Sequence, residues 1–140
     1  RTGDYTISFD YIGTIAEAGH AIAVGYYAWY VDENNFIKVY IEWSSGDRSH
    51  EIRCVQITGN INGAHVGWND IWCDGSNKLV ADGGTLTITK TGNKFSAKLV
   101  SGSYVKEGSA TIAALDTSLA YSTGFYAEGD KITYKNVTVK

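Results

Sequence analysis

The sequence predicts an all-β fold, a single two-sheet sandwich of many short antiparallel strands, and three observations carry it. Apolar and polar residues alternate in one short segment after another, which is the period of a strand with one buried face. Turn residues separate the segments, at Asp32-Glu33-Asn34-Asn35, Ser44-Ser45-Gly46-Asp47, Gly83-Gly84, Thr91-Gly92-Asn93 and Gly129-Asp130. The one stretch that could be helical, Ala110 to Ala120, is short and partly β-branched, so it reads as a loop with at most one turn of helix.

Each strand follows from its own alternation. Tyr5, Ile7, Phe9 and Tyr11 alternate with Thr6, Ser8 and Asp10. Ala21 to Trp43 forms a hairpin. Its first arm turns Ile22, Val24, Tyr26, Ala28 and Tyr30 inward, and Ala23, Gly25, Tyr27, Trp29 and Val31 outward. The second arm turns Ile37, Val39, Ile41 and Trp43 inward, and Phe36, Lys38, Tyr40 and Glu42 outward. Asn60 to Asp82 is rich in Gly, Asn and Asp and reads as a long loop carrying Trp68, Trp72 and Cys73. Leu86 and Ile88 alternate with threonines, and Phe95, Ala97 and Leu99 with Lys94, Ser96 and Lys98. Phe125 and Ala127 face inward, leaving Tyr126 and Glu128 outside. Ile132 and Tyr134 then Val137 and Val139 slip by one residue at Lys135-Asn136, which reads as a bulge or bend.

Composition narrows the function. Fifteen acidic against twelve basic residues give a net charge of -3, spread too evenly for a nucleic-acid binder. No apolar run approaches the roughly twenty residues that span a bilayer, so no membrane is expected as partner. The chain begins at Arg1 and holds no methionine. Residues 1–140 therefore read as a single domain, excised from a larger exported protein. In that setting Cys54 and Cys73 would pair, stabilising by about 3 kcal/mol; the alternative is two buried free thiols.

The aromatic content points further. Four tryptophans and ten tyrosines, many of them in one hairpin, cannot all enter one core. The outward set Tyr27, Trp29, Tyr40 and Tyr126, with Lys38, Glu42 and Glu128, would form a ring-rich surface rimmed by hydrogen-bonding groups. Such a surface suits a sugar, which offers apolar C–H faces and a margin of hydroxyls. Trp68 and Trp72 would add a loop-borne cluster with Asn69, Asp70, Asp74 and Asn77. Calcium could be held by the oxygen-rich turns Asp32-Glu33-Asn34-Asn35 and Asp70 to Asn77, although neither fits a specific loop signature. The histidines His20, His50 and His65 are scattered, and no nucleophile motif accompanies them.

The segment Gly124-Phe125-Tyr126-Ala127-Glu128-Gly129, followed by Ile132 to Val139, is similar to the last two strands of concanavalin A-like jelly rolls. That superfamily includes laminin G-like domains and many accessory modules of bacterial glycoside hydrolases. The hairpin around Tyr30-Val31-Asp32-Glu33-Asn34-Asn35-Phe36 resembles a paired motif near the start of the same domains. The resemblance implies a carbohydrate-binding module, extracellular, that directs a linked catalytic domain to an oligo- or polysaccharide, and it raises the case for a structural calcium. Jelly-roll glucanases carry a Glu-x-Asp-x-Glu strand that sets two carboxylates about 5 Å apart; this sequence has none, so a non-catalytic domain is expected. The alternative is a structural or protein-interaction domain of a secreted surface protein. Domains of the resembled kind usually open a strand or two before a segment like Tyr5 to Phe9, so the N-terminal edge is expected to be missing or supplied from elsewhere.

Overall fold

The structure, a computed structural model, describes residues 1–14, 21–44, 53–72, 83–128 and 131–140; at 13, 14, 21, 22, 42–44, 53, 54, 72, 128 and 131 it describes the backbone alone. Among the described residues there are eleven strands: β1 (Tyr5–Thr14), β2 (Ala21–Asp32), β3 (Asn35–Ser44), β4 (Arg53–Ile61), β5 (Ala64–His65), β6 (Asn69–Trp72), β7 (Gly84–Thr91), β8 (Lys94–Ser101), β9 (Tyr104–Thr111), β10 (Ser122–Glu128) and β11 (Lys131–Val139). The described residues include no helix, and 112–121 forms turns. All pairings are antiparallel, in one sheet ordered β11-β1-β7-β8-β9 and a second ordered β10-β2-β3-β4-β5, with β6 also paired to β4. The fold is a two-sheet antiparallel β-sandwich.

The core lies between the sheets and is built by the alternating sets. The first sheet contributes Ile7, Phe9, Tyr11, Leu86, Ile88, Phe95 and Leu99; the second contributes Val24, Ile37, Val39, Ile41, Val55 and Ile57, all buried. Ile112, Leu115 and Tyr121 close the core from the loop between β9 and β10. The expected slip in β11 is present: Ser8 pairs Thr138 but Asp10 pairs Lys135, and Asn136 takes a positive φ of 54°.

Two expectations are corrected. The stretch from Asn60 is not one long loop. It begins with the end of β4, turns through Asn62 and Gly63, both at positive φ, and returns as β5 and then β6. Two left-handed residues in a row make a hairpin turn of the mirror-image type, for which Asn-Gly is the favoured pair. The second correction lies in β2. Tyr27 is opposite Lys38 while Trp29 is opposite Ile37, so Ala28 is an extra residue in the strand. The bulge turns both Ala28 and Trp29 into the core and sends Tyr30 outward, opposite Phe36. Trp29, expected outside, is 1% exposed. The disulfide expected between Cys54 and Cys73 lies outside the described residues.

Candidate functional site

The face of the six-stranded sheet turned away from the core carries the expected rings in register. One cross-strand row runs Tyr126 (β10), Gly25 (β2), Tyr40 (β3), Gln56 (β4) and Asp70 (β6). The next runs Gly124, Tyr27, Lys38 and Thr58, and the third Ser122, Tyr30, Phe36, Asn60 and His65. Rings two residues apart along a strand, or one strand apart across it, lie within aromatic contact distance.

They form one continuous ladder. Tyr30 meets Tyr27 at 5.6 Å between centroids, Tyr27 meets Tyr126 at 5.6 Å, and Tyr126 meets Tyr40 at 5.7 Å, each edge to face. Phe36 joins from the side, 5.9 Å from Tyr27. This is the geometry that the positive edge and negative face of aromatic rings favour. The Lys38 ammonium sits over two of the rings, 4.5 Å from the centre of Tyr40 and 4.4 Å from that of Tyr126. Gly25 makes the close packing possible: a Cβ there would overlap the Val39 carbonyl and the Tyr40 Cβ.

Tyr27, Tyr30, Phe36 and Tyr126 are half-buried, whereas Tyr40 and Gln56 are nearly closed off at 6% and 2% exposed. The buried pair is satisfied internally. The Tyr40 hydroxyl donates to Gln56 Oε1, and Gln56 Nε2 donates to Asp70 Oδ1 at 2.7 Å. Beneath the ladder, the Tyr134 hydroxyl accepts the Gly25 N–H at 3.0 Å and donates to the Tyr126 carbonyl, linking β2 to β10. Burial pushes the Tyr134 phenol above its ordinary pKa, so it keeps the proton that this donation needs.

Trp68 stands at the other margin, on the segment between β5 and β6. It is 60% exposed, and its ring lies 4.4 Å from that of His65.

The expected site residues therefore divide. Tyr27, Lys38, Tyr40 and Tyr126 come together. Trp68 is exposed beyond the β4 edge of the same sheet, and Trp29 leaves the site for the core. Glu42 and Glu128 both pair with Ala23, on strands either side of β2, but their side chains and that of Trp72 lie outside the described residues. Tyr30, Gln56 and His65 are additions. Gln56 was legible in principle, since Val55 and Ile57 alternate with Gln56 and Thr58 just before an Asn-Gly turn.

Of the oxygen-rich turns, Asp32 Oδ1 is engaged by the Asn34 N–H at 2.8 Å and Asn35 Nδ2 at 3.0 Å, which is turn chemistry. Among the described residues no three His, Cys, Asp or Glu side chains gather as a metal site would require. Positions 73–77 of the second turn lie outside the described residues.

No family model and no curated protein matches the chain. A solved structure with a similar fold is that of a functionally unknown protein from Saccharomyces cerevisiae, at a TM-score of 0.63 and 17% sequence identity, over 100% of this chain and 70% of that one. At that identity the likeness concerns the fold.

Proposed function

We propose that this chain is a non-catalytic carbohydrate-binding module of concanavalin A-like type, which holds an attached enzyme against its glycan outside the cell. The observation that carries the reading is the unbroken ladder Tyr30-Tyr27-Tyr126-Tyr40, with the Lys38 ammonium over two of its rings and the Gln56–Asp70 amide and carboxylate in the adjoining strands. Half-buried rings give apolar area for the C–H faces of a saccharide at little entropy cost, because they are already fixed by one another. Ser122 and Asn60 in the third row are at least partly exposed and can meet hydroxyls, whereas Gln56 is closed off and bonded to Tyr40 and Asp70. The closed packing of Tyr40 and Gln56 favours a second reading, in which this face docks against another protein domain.

A glycan array with the isolated chain, followed by calorimetry on any hit, separates the two. Tyr27→Ala and Tyr126→Ala are each expected to weaken binding about ten-fold, the loss of roughly 1.4 kcal/mol of ring contact. Binding to no glycan, or binding untouched by both substitutions, would overturn the proposal.

A further inference from the structure

We propose that His65 is a positioning residue: it holds the Trp68 segment against the glycan face while its imidazole is neutral, and releases it on protonation. Thr58 Oγ1 lies 2.9 Å from the Gly67 carbonyl oxygen, which can only accept, so Thr58 donates there. Its one proton is then committed. Toward His65 Nε2, 3.0 Å away, the same oxygen must accept, which places a hydrogen on Nε2. The Gly67 N–H points at His65 Nδ1, 3.1 Å away, so Nδ1 must be bare. All three bonds exist together only in the neutral imidazole with its hydrogen on Nε2.

The backbone is built for this arrangement. Gly67 takes a φ of 97°, open to glycine and strained for other residues, and so turns its N–H back onto the side chain two positions earlier. The Val66 N–H bonds the Gly59 carbonyl at 3.1 Å and fixes the segment to β4. Trp68 follows directly and rests on the imidazole ring. A second proton would set Nδ1–H against the Gly67 N–H, donor to donor, and break the bond that orders the residue before Trp68. Protonation and closure therefore oppose each other: the clamp is held above the titration of the imidazole and lost below it.

β4 presents Thr58 and Asn60, which do not titrate. Lys38 on β3 is opposite Thr58, Asp70 lies on β6 beyond Gln56, and the turn after β2, which carries Asp32 and Glu33, is bonded to Asn62 and Gly63 through Asn35 and Asn34. Among the described residues these charges are of both signs, and none bonds the imidazole, whose hydrogen-bond partners there are Thr58 and Gly67.

The consequence for sugar binding rests on the function proposed above, but the clamp is tested without any glycan. In the free protein, imidazole nitrogen shifts report which nitrogen carries hydrogen, and amide exchange reports protection at Gly67. The expected result is hydrogen on Nε2 at about pH 8, with Gly67 protection falling about ten-fold by about pH 5, in step with the imidazole. In His65→Gln, which cannot titrate, Gly67 protection should show no such step. Hydrogen on Nδ1 at high pH, or Gly67 protection that ignores the imidazole, overturns the clamp. With a glycan hit in hand, affinity should fall roughly three- to ten-fold over the same range in the wild type and stay level in His65→Gln. If the clamp titrates and the affinity does not follow, the clamp stands and Trp68 is removed from the glycan site.

Discussion

Trp29 shows how one inserted residue reverses the meaning of a side chain. Strict alternation through Tyr26, Tyr27, Ala28 and Trp29 sends the indole outward with Tyr27. The extra residue at Ala28 turns it inward opposite Ile37, where it is one of the largest fully buried side chains. Nothing in Gly25-Tyr26-Tyr27-Ala28-Trp29 marks the bulge, because a bulge of this kind needs no glycine at its centre, and the register shifts against both β3 and β10 are visible only in the pairing. Trp29→Ala should therefore cost about 3–5 kcal/mol, as truncation of a core aromatic does. Urea denaturation measures it, and a loss below about 1 kcal/mol would return the indole to the surface. The indole Nε1 has no hydrogen-bond partner among the described residues. Trp29→Phe removes that unmet donor along with volume, so it should lose clearly less than Trp29→Ala.

Among the elements, the legible strands were those whose alternation runs unbroken from turn to turn. β1, β3, β7 and β8 place Ile7, Ile37, Ile88 and Leu99 in the core as their periodicity requires. β5 and β6 were hidden because Asn62, Gly63, Gly67 and Trp68 break the pattern after the tight turn, whereas β4 carries its alternation, Val55 and Ile57 against Gln56 and Thr58, in the sequence itself. The bulge in β11 was legible, and the structure shows what secures it. Asp10 accepts from Thr85 Oγ1 at 2.6 Å through one carboxylate oxygen and from Asn136 Nδ2 at 2.7 Å through the other, tying β1 to both its neighbours. Those bonds, Asn136 first and then Thr85, hold the Asp10 carboxyl below its ordinary pKa. A depressed carboxylate contributes stability that is present above its unfolded pKa, about 3.9, and is lost as pH falls through the folded value. Asp10→Ala should thus cost about 0.5–1 kcal/mol at neutral pH, kept small by solvent. The gap from wild type should close below about pH 4. Melting curves of the two proteins from neutral to acid pH test this, and a gap that persists at low pH would count against the carboxylate bonds as its source.

At the scale of the whole molecule, the sandwich presents two unlike outer faces. The five-stranded sheet offers hydroxyls that largely answer one another: Thr6 and Thr89 meet at 3.0 Å, Ser8 and Thr87 at 2.9 Å, and Thr85 donates to Asp10. Its open depression is lined by Thr87, Thr89, Ser96, Lys98, Glu107 and Ser109, with no ring among them. A saccharide arriving there would break existing bonds to make equivalent ones, at little net gain. The six-stranded sheet offers fixed rings instead, and apolar contact is what water does not already give a sugar. If the proposed function holds, amide shifts on adding the bound glycan should therefore gather at Tyr27, Lys38, Tyr126 and the His65–Trp68 segment. Thr87, Thr89, Ser96 and Ser109 should stay still. Because the sheets share one core, a general loosening would move both sets at once, whereas a true site on the ladder moves only the first. Shifts confined to the threonine face would transfer the site across the sandwich and leave the aromatic ladder a structural feature.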